Sequence, residues 1–214
     1  MITSKRGKVF DYRALRLLMG CIAFSLPFVV SLISSASLSS ISASYYTEAR
    51  DAFVGMLFIV ASFLWAYNGH SLNQAWASKV ASLAAIFVAV FPTSCEDCGS
   101  DLISIIHYVA ATALFAILAY FCLGPFRENT KGKTGKKGRR SKIYFICGWI
   151  MILCILGIGL ANLTMSDETI KTLKITYWGE AIALVAFGVA WIVAGKVIRP
   201  LVDDEDALRI KLRG

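Results

Sequence analysis

The sequence predicts an all-α polytopic membrane protein, a bundle of six transmembrane helices with its N-terminus and C-terminus in the cytoplasm. Three observations lead to that class. Hydrophobic residues make up 57% of the 214 positions and the mean hydropathy is +0.65, which does not fit a soluble globule. A hydrocarbon core about 30 Å thick takes roughly 20 apolar residues of helix to cross, and six stretches approach that length. Basic residues crowd every second junction between them, the bias that fixes orientation on insertion. None of the stretches alternates apolar with polar residues, so a β-barrel is not expected.

The first span is expected over residues 14–35, with Lys5, Arg6, Lys8, Arg13 and Arg16 at its start. A basic start, an apolar run and the small-residue stretch "SSASLSSISAS" also describe a cleaved secretory signal. The run from Leu17 to Ile33 is longer than such signals usually carry, so the span is expected to be retained. The second span is placed at 51–67 and ends in "YNGHSLNQ", where Asn68 and Gly69 read as a helix stop and His70 as a cap or headgroup contact. The third is placed at 75–91 with Lys79 near its start, and the fourth at 102–123.

Next comes the basic loop 125–142, whose run "RENTKGKTGKKGRRSK" has Gly-spaced lysines and no apolar positions to fold on. It is expected to be a mobile linker. The fifth and sixth spans are placed at 143–163 and 175–198, completing one six-helix domain over 1–198 with a tail at 199–214. In the tail, "DDED" before "ALRIKLRG" reads as a short capped surface helix or, more simply, a solvated end.

With this topology 19 of the 22 basic residues lie on one side, and Arg50, Lys171 and Lys174 remain on the other with seven of the 14 acids. That distribution accounts for the net charge of +8 as a topology signal with attraction to anionic headgroups, and nucleic acid is not an expected partner. Membrane lipids are the expected partners, in the inner (plasma) membrane of a bacterium, and a homo-oligomer is compatible with the sequence. No cofactor and no bound metal are expected.

Cys95 and Cys98 fall in "SCEDCGSDLISIIHY", on the side where disulfides persist. A C-x-x-C there is a structural cross-link, a thiol-exchange site or half a metal site. An exchange relay needs a second outer dithiol and a zinc knuckle needs two more ligands, and the sequence offers neither. A disulfide pinning the third and fourth spans is expected. Cys21, Cys122, Cys147 and Cys154 are expected to pack as small buried hydrophobes.

Ionisable groups inside spans are costly and therefore candidates for function. His107 comes six residues after Asp101, and Glu180 six after Lys174; at about 1.5 Å per residue both lie roughly 9 Å below the outer rim. Arg50 and Asp51 open the second span from that side, and Ser42, Ser44, Tyr45, Tyr46 and Thr47 precede them. Asp51, Gly55 and Ser62 share a helical face that is expected to point inward. The resulting expectation is a ligand site of Arg50, Asp51, His107, Glu180 and Tyr46 in the outer leaflet. The simpler alternative pairs Arg50 with Glu48, His107 with a backbone carbonyl, and leaves Glu180 protonated or paired with Lys174.

The segments "SASYYTEARDAFVGMLF", "VFPT", "IHYVAATALFAILAYFCL", "KIYFICG" and "YWGEAIALVAFGVAW" resemble a group of uncharacterised bacterial six-span membrane proteins. The arrangement is more faintly similar to Frag1/DRAM/Sfk1-type proteins linked to lipid handling. The resemblance implies six spans and no defined chemistry, and the "CEDC" loop departs from it.

The favoured function is binding or handling of a lipid headgroup or small polar ligand in the outer pocket, with Arg50 on the phosphate. One alternative is a membrane-embedded metal-dependent hydrolase using Asp51, His107 and Glu180. Others are a scaffold and a proton-coupled transporter, the latter disfavoured by the apolar inner half. Catalytic residues are not assigned, and no P-loop, nucleophile elbow or H-E-x-x-H is present.

Overall fold

The computed structural model describes residues 12–94 and 102–202, and every regular element in it is helical. In chain order these are α1 (Tyr12–Ile33), the 3₁₀ turn η1 (Ser42–Tyr46), α2 (Arg50–Ala66), α3 (Leu72–Val90), α4 (Leu102–Leu123), the 3₁₀ turn η2 (Pro125–Arg127), α5 (Gly135–Thr164), the short α6 (Asp167–Thr172) and α7 (Ile175–Ala194). A last 3₁₀ turn, η3, spans Arg199–Leu201. Four helical stretches are long and apolar enough to cross a membrane: Arg13–Ile33, Leu102–Arg127, Gly135–Thr164 and Ile175–Ala194. The other two long helices are less suited: α2 has 17 residues, and α3 carries Asn73, Gln74, Ser78, Lys79 and Ser82 in its first two-thirds.

The six long helices form a closed ring in the order α1, α2, α3, α4, α5, α7, with α7 returning to α1. The α7–α1 seam is the most extensive and depends on small residues. A Cβ added to Gly188 would stand 2.7 Å from the Phe24 backbone nitrogen, and one added to Gly20 would stand 2.6 Å from the Ile192 nitrogen. The two backbones therefore run antiparallel in close approach, as small-residue helix seams allow.

Between α2 and α3 the junction is polar. Ser78 donates through Oγ to the Leu64 carbonyl at 2.6 Å and Ser82 to the Ala61 carbonyl at 2.7 Å. Lys79 reaches the Trp65 carbonyl and the Asn68 Oδ1. The last carbonyls of α2 have no partner in their own helix, so α3 side chains supply two of them. The turn between the two helices is made by Gly69 at φ +61, where a Cβ would collide with the Gln74 side chain, and by Ser71, which caps α3.

Two apolar clusters fill the ring. The larger is aromatic and lies toward the end where α1 starts and α7 finishes, hereafter the basic end. There the buried Trp191 meets Tyr67, Phe121, Phe126 and Phe187 edge-on with centroids 5.1 to 5.9 Å apart. Arg16 enters this cluster from α1, donating to the Tyr67 hydroxyl at 2.6 Å and lying 5.1 and 5.3 Å from the Tyr67 and Phe126 ring centres. A cation is tolerated at that depth because a hydroxyl and two ring faces replace its water. The smaller cluster lies at the opposite end and gathers Leu26, Val30, Leu38, Ile41, Phe53, Leu57 and Val88.

Four expectations are corrected. The basic segment 125–142 is not an open linker: α5 begins at Gly135 and not at Ile143. Lys136 donates to the Val202 carbonyl at 3.0 Å and Arg140, 2% exposed, to the Leu201 carbonyl at 3.1 Å, so the chain returning from α7 holds the first turns of α5. The face bearing Asp51, Gly55 and Ser62 turns outward, because Phe53, Leu57, Val60, Ala61 and Leu64 occupy the inner face, and Ser62 bonds its own Phe58 carbonyl at 2.8 Å. Cys21 is exposed, whereas Cys122 and Cys147 are buried and Cys154 is half-buried; all four are free thiols. The helix expected to run to residue 198 as a sixth span, α7, ends at Ala194, and α6, capped by Ser166, precedes it unforeseen.

The close α1–α7 seam gives a direct test. Gly188→Val is expected to destabilise the bundle by about 1–3 kcal/mol through overpacking. Gly157→Ala, at an exposed α5 position with open space around it, is expected to be neutral or to add up to ~1 kcal/mol. Thermal unfolding of the detergent-solubilised variants checks both, and an unchanged midpoint for Gly188→Val would contradict the packing.

Candidate functional site

The opposite end of the ring is organised by η1. Ser and Tyr have modest helix propensity, and short polar side chains here close the turn by bonding backbone. Ser44 donates to the Ile41 carbonyl at 2.6 Å, Thr47 donates to the Ser44 carbonyl at 2.9 Å, and the Ala43 N–H donates to Ser40 Oγ at 2.9 Å. Leu38 and Ile41 bury their side chains in the smaller core and fix the turn across the bundle.

From that turn, contacts fan out to three helices. Toward α7, Ser42 gives both its N–H and its hydroxyl to the two oxygens of Glu180, each at 3.1 Å. The Tyr177 N–H donates to the Ser39 carbonyl at 3.2 Å, and the Tyr177 hydroxyl lies 2.8 Å from Ser31 Oγ. Toward α3, the Tyr46 hydroxyl donates to the Thr93 carbonyl at 2.6 Å. Thr93 in turn donates to the Tyr108 hydroxyl at 3.2 Å, which also lies 2.5 Å from Ser94 Oγ. Toward α2, the Arg50 guanidinium lies 4.3 Å from the Tyr45 ring centre and donates to the Tyr45 hydroxyl at 2.8 Å.

His107, 1% exposed, stands beside this network. Its Nδ1 donates to the Phe91 carbonyl at 2.7 Å. Phe91 closes the C-terminus of α3, where carbonyls have no partner in their own helix, so the imidazole of α4 caps α3.

Glu48 is exposed and accepts from the Ser35 hydroxyl at 2.7 Å and from the Ser35 N–H at 3.4 Å. The hydroxyl bond chiefly, then the backbone N–H groups of Glu48 and Ser35, hold its carboxyl below the usual glutamate range.

The structure thus sorts the sequence candidates onto separate partners. Arg50 and Asp51 share an open groove of about 460 Å³ with Tyr45, Val54, Gly55, Ala89 and Val90. Tyr46, His107 and Glu180 do not line it; they bond Thr93, Phe91 and Ser42 respectively. Arg50 is on Tyr45 and Glu48 on Ser35, while Lys174 lies 5.7 Å from the Tyr177 ring centre. Ser42 and Tyr45 are the participants without an assigned role in the sequence reading, although the hydroxyl-rich run before Asp51 was the signal for them.

Among the described residues no three His, Cys, Asp or Glu side chains gather as metal ligands, and Asp51, His107 and Glu180 therefore form no such group. Cys95 and Cys98, with the disulfide expected of them, lie outside the described residues. No family model, curated protein or solved structure matches the chain.

The Glu180 contact predicts a graded response. Glu180→Leu leaves the N–H and hydroxyl of Ser42 without their acceptor, and each such buried donor costs about 1–3 kcal/mol. Glu180→Gln keeps one acceptor oxygen and is expected to lose roughly half as much stability. Denaturation of the purified variants measures the order; equal losses, or none for Glu180→Leu, would contradict the assignment.

Proposed function

We propose that the chain crosses the inner membrane of a bacterium six times with both termini cytoplasmic, and that the groove between η1, α2 and α3 binds the phosphate-bearing headgroup of a membrane lipid from the outer leaflet. Six passes are supported by α2 and α3 lying within the ring and exposing Phe58, Ile59, Leu83, Phe87 and Val90 outward. Ser62 on the outer face of α2 bonds its own helix, as a hydroxyl facing hydrocarbon must. Lys79 bends to Asn68 and the end of α2, where a lysine stem can lie along the helix with its ammonium at the interface. Orientation is supported by the basic residues at the end where α1 begins and α7 finishes.

The observation that carries the headgroup reading is Arg50. Its guanidinium is fixed on the Tyr45 ring and hydroxyl at the mouth of a groove whose floor is Val54, Gly55, Ala89 and Val90. A planar cation pre-positioned on an aromatic face suits phosphate, Asp51 beside it suits a hydroxyl or ammonium on the same headgroup, and the apolar floor suits the start of an acyl chain. Gly55 leaves that floor open, since a Cβ there meets no atom within 4 Å. A metal-bound water would need Asp51, His107 and Glu180 on one centre, and their separate partners give that reading less support.

The test uses nanodiscs containing phosphatidylglycerol with a photoreactive acyl chain, with cross-links mapped by peptide. Label is expected on residues 45–55 and 89–90. Arg50→Gln is expected to cut that labelling about tenfold, the worth of one charge-assisted contact. Gly55→Trp is expected to block it with the thermal midpoint within a few degrees of the parent. Labelling at those peptides that survives both substitutions would contradict the proposal.

A further inference from the structure

The basic end carries a second groove, of about 410 Å³, formed where η2 and the following turn fold back over the start of α5. It is lined by Arg127, Lys133, Ser141, Lys142, Phe145 and Ile146, with Gly138 at its base. Gly138 is needed there because any Cβ would collide with the Lys133 backbone carbonyl, and that close approach lays the turn against the helix.

The cations of this segment divide into two sets. Lys136 and Arg140 are occupied by the carbonyls of Val202 and Leu201. Arg127, Lys133 and Lys142 line the groove. Glu128 is the single acid between Gly124 and Ile146, and it is turned to α3, accepting from Gln74 Nε2 at 3.3 Å. Among the described residues the groove therefore presents three positive charges and no carboxylate in its lining.

Arg127 is also pre-positioned. Its guanidinium lies 4.6 Å from the Phe145 ring centre, and its Nε donates to the buried Ser141 hydroxyl at 3.3 Å. The two Nη groups have no partner among the described residues, which leaves the forked edge suited to two phosphate oxygens. Holding the fork in place in advance removes much of the ordering cost of binding.

Below the cations the lining turns apolar. Phe145 and Ile146 are 43% and 55% exposed, and Trp149, Leu153, Leu156 and Leu160 continue an exposed stripe down α5 at helical spacing. A ligand that satisfies both parts has an anionic head and a hydrocarbon tail. We infer that this groove is a binding site for the headgroup of an anionic phospholipid, with the phosphate on Arg127, Lys133 and Lys142 and an acyl chain along Phe145 and Trp149. It rests on α5 crossing a membrane, and not on the groove beside Arg50, from which it is separated by sequence, by helices and by its own lining residues.

Native mass spectrometry of the full chain, released from nanodiscs of phosphatidylcholine doped with phosphatidylglycerol, tests the site. The double variant R127Q/K142Q is expected to lose phosphatidylglycerol affinity by about tenfold per contact removed. The variant K137Q/R139Q removes the same charge from exposed positions outside the groove and is expected to stay within about twofold of the parent. K142Q alone, at an exposed position with no hydrogen bond among the described residues, removes one contact and is expected to weaken binding about tenfold. Equal losses in the two double variants would mean a diffuse surface charge and overturn the site, as would an unchanged affinity in K142Q and R127Q/K142Q. Soluble glycerophosphate is expected not to displace the lipid; displacement at millimolar concentration would overturn the lipid assignment in favour of a free phosphate ester. Repeated in an R50Q background, which removes the phosphate contact of the α2–α3 groove, the same losses are expected for R127Q/K142Q relative to R50Q alone, so failure here and failure of the α2–α3 groove read out separately.

Discussion

A bundle this apolar can keep a glutamate within the second turn of α7 only if something brings donors to it, and Ser42 brings two. That pair of bonds holds η1 against α7, and the placement of η1 decides much of what lies at that end of the molecule. With η1 seated, Leu38 and Ile41 plug the smaller core, Tyr46 reaches the segment after α3, and Tyr45 is presented to Arg50. Removing the acceptor would leave polar backbone and hydroxyl groups facing hydrocarbon-like surroundings, where unpaired donors are expensive. The groove beside Arg50 is thus a consequence of a contact made on the other side of the turn.

The same economy of polar groups recurs along the chain. Helix ends carry carbonyls that their own helix cannot pair, and here neighbouring helices provide the donors. Ser78 and Lys79 of α3 cap α2, His107 of α4 caps α3, and Lys136 and Arg140 of α5 hold the chain after α7. Each polar side chain in this set ties one element to another, so the ring is fastened by hydrogen bonds at its ends and, at the α1–α7 seam, by small-residue packing. The two grooves occur where that pattern leaves an arginine stacked on an aromatic ring with part of its fork without a partner among the described residues: Arg50 on Tyr45 and Arg127 on Phe145.

Long apolar runs made the helices legible in the sequence. The bounds read for α4 coincide with those observed, and α7 starts where it was placed. The start of α5 was not legible, because a stretch of glycine, lysine and arginine has neither an apolar stripe nor strong propensity; its helicity depends on carbonyls about sixty residues away, at Leu201 and Val202. Depth could be counted for His107 and Glu180 at a fixed rise per residue, but counting does not say which neighbour a side chain faces. The direction of the Asp51, Gly55 and Ser62 face was misjudged for a related reason: the outside of α2 also carries large apolar residues, Phe58 and Ile59, so a few small or polar residues do not mark the buried face. Arg50 and Asp51 could be singled out because charge beside a span is rare, whereas Ser42, an ordinary residue in a serine-rich run, gave no sign that it was the partner of Glu180.

The claim on which this account turns is that η1 is held in place from α7, and amide hydrogen exchange reads that directly. In the intact protein the amides of Ser42, Ser44 and Thr47 are expected to exchange slowly, with protection comparable to the middle of α1 and α7, since each donates to Glu180 or within the turn. In Glu180→Leu the same three amides are expected to lose that protection while α1 and α7 keep theirs. Exchange of these amides at the rate of an unstructured peptide in the intact protein, with α1 and α7 still protected, would contradict it.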